Sequence, residues 1–239
     1  DEMVKLLQTG HALSSVEALR KHGLHKGVFP VLDAVFDEQR STPQRKRFIE
    51  LALADTDRRV AEGRAVAPSF MLACLLWHDV QGRWHDLRKR GEHPLPALQQ
   101  AIDSVFDARI GDVSGRGRLA ADMREIWMMQ PRFERRQANS AQALVAQPRF
   151  RAGYDFLRLC ADAQEVDGEL ADWWEDFSLG DADEREALLQ LAREAERSRR
   201  QAEPAAGDAP AAAKKRRRRR RSGAKRDAGG VAPTTASGA

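Results

Sequence analysis

Pro68-Ser69-Phe70-Met71-Leu72-Ala73-Cys74-Leu75-Leu76-Trp77-His78-Asp79-Val80 is the stretch on which the fold turns. From Ser69 to Val80 it is apolar almost all round, and Pro68 stands where a helix begins. A helix without a polar face needs cover on every side, so this one is expected at the centre of other helices. On its N-terminal side, Pro43 opens a pattern that runs through Phe48, Leu51 and Leu53 to Gly63. Val28, Leu32, Val35 and Phe36 place a helix over 28–38. Ser14 or Ser15 is expected to cap a helix from Val16 to His22, stopped at Gly23. Asp1 to Gln8 reads as a helix end closed near Gly10. On the C-terminal side, Pro94 and Pro96 introduce a helix to about Ala108, and Gly111 to Gly117 is a loop. Arg118 to Gln130 carries Leu119, Met123, Ile126 and Trp127 on one face. Pro148 starts the 149–163 helix, Leu170 to Phe177 is short and aromatic, and Asp183 to Gln201 has a stripe at Leu188, Leu189 and Leu191. No stretch alternates with period two, and Leu and Ala outweigh β-branched residues. The expectation is an all-α, multi-helix bundle.

The chain has 239 residues, 42% of them hydrophobic, enough for a core. No apolar run reaches the ~18 residues of a membrane span. Asp1-Glu2-Met3-Val4-Lys5 forms no signal peptide. Cys74 and Cys160 have no CxxC partner and fit a reduced, cytoplasmic setting. Because the chain opens on Asp1 with a helical pattern already running, it is read as truncated within an element. From 202 to 239 the composition is Ala, Pro and Gly around a cationic run, which builds no core and is expected to be a disordered tail.

Charge is unevenly placed. Residues 116–158 hold nine arginines against four carboxylates, and 198–239 hold 12 Lys and Arg against three. The whole chain is only +4, so the remaining residues sum to −10. Such concentration points to a polyanionic partner. Arg132, Arg135 and Arg136 lie at i, i+3 and i+4 and share one face if the helix continues past Pro131. Arg149 and Arg151 flank Phe150 and precede Tyr154 and Phe156. Arginines interleaved with rings suit phosphates and unpaired bases together. The run Lys214, Lys215, Arg216, Arg217, Arg218, Arg219, Arg220 and Arg221 reads as a nucleic-acid-binding arm, a nuclear localisation signal or an expression oddity. If all eight cations met single-stranded RNA, the salt slope would approach about −5 to −6.

Other motifs are weaker. His78-Asp79 invites comparison with metal-dependent HD phosphohydrolases, which need further His and Asp ligands at one centre; the alternative is a polar helix end. Asp55-Thr56-Asp57 has the spacing of a two-metal carboxylate pair, but residues two apart on a helix point about 200° apart. Asp181 and Asp183 read as helix caps. Trp173-Trp174 suits base stacking less than core packing. No phosphate loop, GxSxG or zinc spacing occurs, so no catalytic or metal residue is assigned.

Several blocks, in order, resemble the C-terminal half of the bacterial poly(A) polymerase I family. They are Met3 to His11, the Gly23-Leu24 to Phe29-Pro30 turn, Ala54 to Arg59, Pro68-Ser69-Phe70, Arg124 to Trp127, Arg135-Arg136-Gln137, Pro148 to Leu157, and Trp173 to Phe177. The resemblance implies a template-independent polymerase that adds AMP from ATP to RNA 3′ ends with Mg²⁺. In that family the Asp-x-Asp carboxylates sit in an N-terminal catalytic head, which is expected to be absent here, leaving this chain inactive alone. It also implies a division: 1–38 the end of a helical neck, 39–178 the RNA-binding body, 179–201 a charged helix, and 202–239 the arginine-rich tail. RNA 3′ ends and proteins of RNA decay, such as a helicase or nuclease, are the expected partners. The rival readings are an HD-type phosphohydrolase and a non-catalytic RNA or protein scaffold.

Overall fold

The structure, a computed structural model, describes residues 2–25, 30–36, 41–109 and 116–202. The tail, with Lys214 to Arg221, lies outside them, as does most of the 111–117 loop. Eleven helices and no strands occur among the described residues: α1 (Glu2–Leu7), α2 (Ala12–Lys21), α3 (Pro30–Val35), α4 (Pro43–Ala61), α5 (Pro68–Lys89), α6 (Pro94–Arg109), α7 (Arg116–Phe133), α8 (Ala138–Val145), α9 (Phe150–Asp162), α10 (Gly168–Leu179) and α11 (Ala182–Ala202). The all-α expectation holds, and residues 1–200 pack as one compact unit.

The central helix is α5, which packs against α3, α4, α6, α7 and α9. Every residue from Ser69 to Trp77 is buried, as an all-round apolar surface requires. The helix nevertheless runs nine residues past Val80. Polar side chains change its surroundings without stopping it, and it ends only before Gly91, whose φ of +91° gives the left-handed turn that closes a helix. His78-Asp79 is therefore mid-helix.

Helix α2 starts four residues earlier than expected. Its cap comes from another helix instead of Ser14 or Ser15. The Asp57 carboxylate of α4 accepts from the Ala12 amide at 2.6 Å and the Leu13 amide at 3.1 Å. Two amides that open a helix are satisfied by a charge at its positive end. The Thr42 hydroxyl caps α4 by accepting from the Arg45 amide at 3.1 Å. Asp181 caps α11, and Glu184 reaches back to the Asp181 amide at 2.8 Å, closing a capping box.

Two apolar clusters share α7 and α9. The larger gathers α1 to α6 with Met123, Ile126 and Trp127 of α7 and Phe156, Leu159 and Cys160 of α9. The smaller is aromatic: Met129 and Phe133 of α7, Phe150 and Tyr154 of α9, and Trp173, Trp174 and Phe177 of α10, with Ala141 and Leu144 of α8. Buried indoles find backbone carbonyls where the fold allows it. Trp127 donates to the Ala73 carbonyl at 3.2 Å and Trp174 to the Phe133 carbonyl at 2.8 Å. Of the Leu stripe on α11, Leu189 is buried and Leu191 is exposed.

Candidate nucleic-acid interface

The five arginines expected to hold phosphates fall into two groups. Helix α7 does pass Pro131 but stops at Phe133, so only Arg132 is helical. The Arg135 amide donates to the Arg132 carbonyl at 3.0 Å, turning the chain into the 134–137 connection. Arg135 and Arg136 thus lie on an irregular segment and share no helix face with Arg132. Among the described residues, no carboxylate pairs with the side chains of Arg132, Arg135 or Arg136. Arg136 instead holds its guanidinium 6.0 Å from the Trp173 ring centroid. Helix α8 follows at once and has no side-chain cap on its first amides. Three cations therefore run into the positive end of a helix, an arrangement that favours an anion. Glu134 offsets one of the three charges.

Arg149 and Arg151 are differently placed. Arg149 meets Asp122 at 2.5 Å and Glu125 at 4.0 Å. The Arg151 side chain, 74% exposed, meets Asp155 at 2.9 Å and lies over Tyr154. Asp155 also accepts from Arg59 at 3.0 Å, and Arg59 reaches Asp55 at 2.7 Å. Arg158 joins Asp172 at 2.7 Å and Glu175 at 2.9 Å. Burial works against the Arg158 charge, but the Tyr154 hydroxyl and Asp172 outweigh it and hold the guanidinium above its ordinary range. So most of the carboxylates near the arginine-rich segment are engaged by arginines outside 132–136.

The competing chemical centres come apart. Asp57 caps α2 while Asp55 holds Arg58 and Arg59. The two carboxylates face different neighbours, as the helical geometry of the pair requires. His78 Nε2 lies 2.5 Å from a Glu165 oxygen, whereas Asp79 lies 3.6 Å from Arg45. The two consecutive residues thus have separate partners within the fold. No group of three His, Cys, Asp or Glu side chains able to hold a metal occurs among the described residues. The paired carboxylates and the His-Asp step are each engaged by other groups of the fold.

Trp173 and Trp174 separate as well. Trp174 is fully buried with its N–H satisfied, so it is core. Trp173 is 8% exposed, stacks on Phe177 at 4.9 Å and 9°, and keeps a buried indole N–H without a partner. Its contact with Arg136 joins residues 37 positions apart, and no local spacing announces it.

A model described as polymerase A arginine-rich C-terminus matches residues 90–222. A second, described as probable RNA and SrmB-binding site of polymerase A, matches residues 1–36. Poly(A) polymerase I of Haemophilus influenzae is 32% identical over 197 residues, which cover 80% of this chain and 42% of that protein. Those of Salmonella typhi and Escherichia coli O6:H1 are 29% and 30% identical, over 79% of this chain and 41% of theirs. The chain thus spans less than half the length of these relatives. With an arginine-rich C-terminal model covering more than half of it, and a body whose arginines stand where that model lies, the chain belongs to the poly(A) polymerase I family and corresponds to its C-terminal part.

Proposed function

We propose that this chain is the RNA-holding part of a template-independent polymerase that adds AMP from ATP to RNA 3′ ends, in cytoplasmic RNA processing and decay. The observation that carries the reading is the set Arg132, Arg135 and Arg136, which faces no carboxylate among the described residues and leads into the uncapped start of α8. In this reading these side chains and the α8 amides hold backbone phosphates, while Arg149 and Arg151 brace α9. The Lys214 to Arg221 run raises the local concentration of RNA by charge alone. ATP and Mg²⁺ belong to the catalytic head of the whole enzyme. Because Asp55 and Asp57 already serve structural pairs, the 239-residue chain is expected to transfer no AMP by itself. A helicase or nuclease of RNA decay is the class of protein partner that fits.

The test is anisotropy with a fluorescent 20-mer RNA at 0.1 M salt. Changing Arg135 and Arg136 together to Ala should weaken binding about 10- to 30-fold, as two lost phosphate contacts predict. Arg149→Ala and Arg151→Ala should each stay within about twofold. If neither the Arg135/Arg136 pair nor Lys214 to Arg221 replaced by Ser changes affinity, the proposal fails.

A further inference from the structure

We propose that Trp173 is a stacking platform for one unpaired base and that Arg136 covers it until RNA arrives. The inference rests on the reading above, in which Arg136 binds phosphate, and it adds the class of RNA: single-stranded, with at least one base free.

Phe177 of the same helix lies parallel to one face of the indole. Trp174 meets the ring edge-on at 4.9 Å. Over the ring lies the Arg136 guanidinium, 6.0 Å from its centroid. That cover comes from the irregular 134–137 connection, on a long side chain that no carboxylate restrains among the described residues. The indole N–H is buried and unpartnered although Trp173 is 8% exposed. An unmet buried donor is costly in a finished core. It is accounted for if an acceptor arrives with a ligand.

A nucleotide supplies each missing part. Its phosphate draws Arg136 off the ring, its base replaces the cation over the indole, and a ribose or phosphate oxygen at the ring edge accepts from the indole N–H. A base on an aromatic face is worth more than a partly exposed cation over that face, so the exchange runs toward RNA. A duplex offers phosphates but no free face, so it gains only the charge contribution.

The experiment uses the full chain with four probes: oligo(A)20, the same strand paired with oligo(U)20, an abasic ribose-phosphate 20-mer, and inorganic phosphate. Oligo(A)20 is expected to bind at least about fivefold more tightly than the abasic strand and the duplex. It should also quench tryptophan emission, which phosphate alone should not do. Trp173→Phe keeps an aromatic ring in the cluster while removing the indole N–H and its emission, and far-ultraviolet circular dichroism checks that the variant is folded. In that variant the quench should disappear, whereas Trp84→Phe should keep it. If oligo(A)20 binds and responds to the Arg135/Arg136 change, yet equals the abasic strand or the duplex, or quenches nothing that Trp173→Phe removes, the platform is overturned while the phosphate-binding reading stands. If no probe binds, both fall.

Discussion

Asp57 shows how much one side chain can decide. In sequence it belongs to an acid-x-acid pair with the spacing of a metal site. In the fold it closes the start of α2 across 45 residues of chain. Its two bonds tie the first helices to α4, so Asp57→Ala should lower the unfolding free energy by about 1–2 kcal/mol in a urea titration. Asp57→Asn, which keeps an acceptor, should restore about half. An unchanged midpoint for Asp57→Ala would show that water replaces the carboxylate without loss. The same residue explains one limit of sequence reading. Ser14 and Ser15 were the local candidates for the cap, and nothing within a turn of Ala12 points to a donor-matching oxygen that lies on another helix. Arg149 and Arg151 teach the converse. Their count was legible, but their neutralisation by Asp122 and Asp155 needed the third dimension.

Helices α7 and α9 approach each other closely at Gly153. A Cβ added to Gly153 would lie 2.5 Å from Met129 Sδ, so glycine here serves close approach. The Gln130 amide seals the same crossing by donating to the Gly153 carbonyl at 3.2 Å. Gly153→Ala should therefore destabilise by about 1–3 kcal/mol through overpacking, although alanine is the better helix former. Met129→Ala in the same chain should recover part of that loss. A thermal-melt double-mutant cycle checks it, and simple additivity of the two losses would contradict the crossing. Helices with strong apolar periodicity or proline starts were legible: α4, α5, α6 and α9 all begin within two residues of expectation. Helix α8 was not. It buries only Ala141 and Leu144, and its Asn, Ser and Gln look like loop until Phe133 and Phe150 make a floor for it.

For the whole molecule, burial also governs thiol chemistry. Cys74 and Cys160 are free and buried. Burial pushes both thiols up, with Glu165 adding to the effect at Cys160. In the unfolded chain both ionise near the ordinary value of about 8.5, so above that pH the unfolded state sheds protons that the folded state keeps. The thiol contribution is thus fully present below pH ~8.5 and falls as pH rises, by about 1.4 kcal/mol per unit for each thiol. Urea midpoints should be flat from pH 7 to 8 in this respect and decline from 9 to 10. A disulfide-exchange reagent should modify the native protein only as fast as it opens. Complete modification within seconds at pH 7.5 would refute the burial of both.

The division of α7 between two apolar clusters has a further consequence. Met123, Ile126 and Trp127 anchor its first part among α5 and α6, and Met129 and Phe133 anchor its end beside α8 and α10. Lineages can therefore rework the aromatic end, where the unneutralised arginines emerge, without retuning the larger centre around α5. Divergence should gather in α8 while the Ser69 to Trp77 stretch and Arg135-Arg136-Gln137 stay fixed, letting that surface drift on a scaffold that does not.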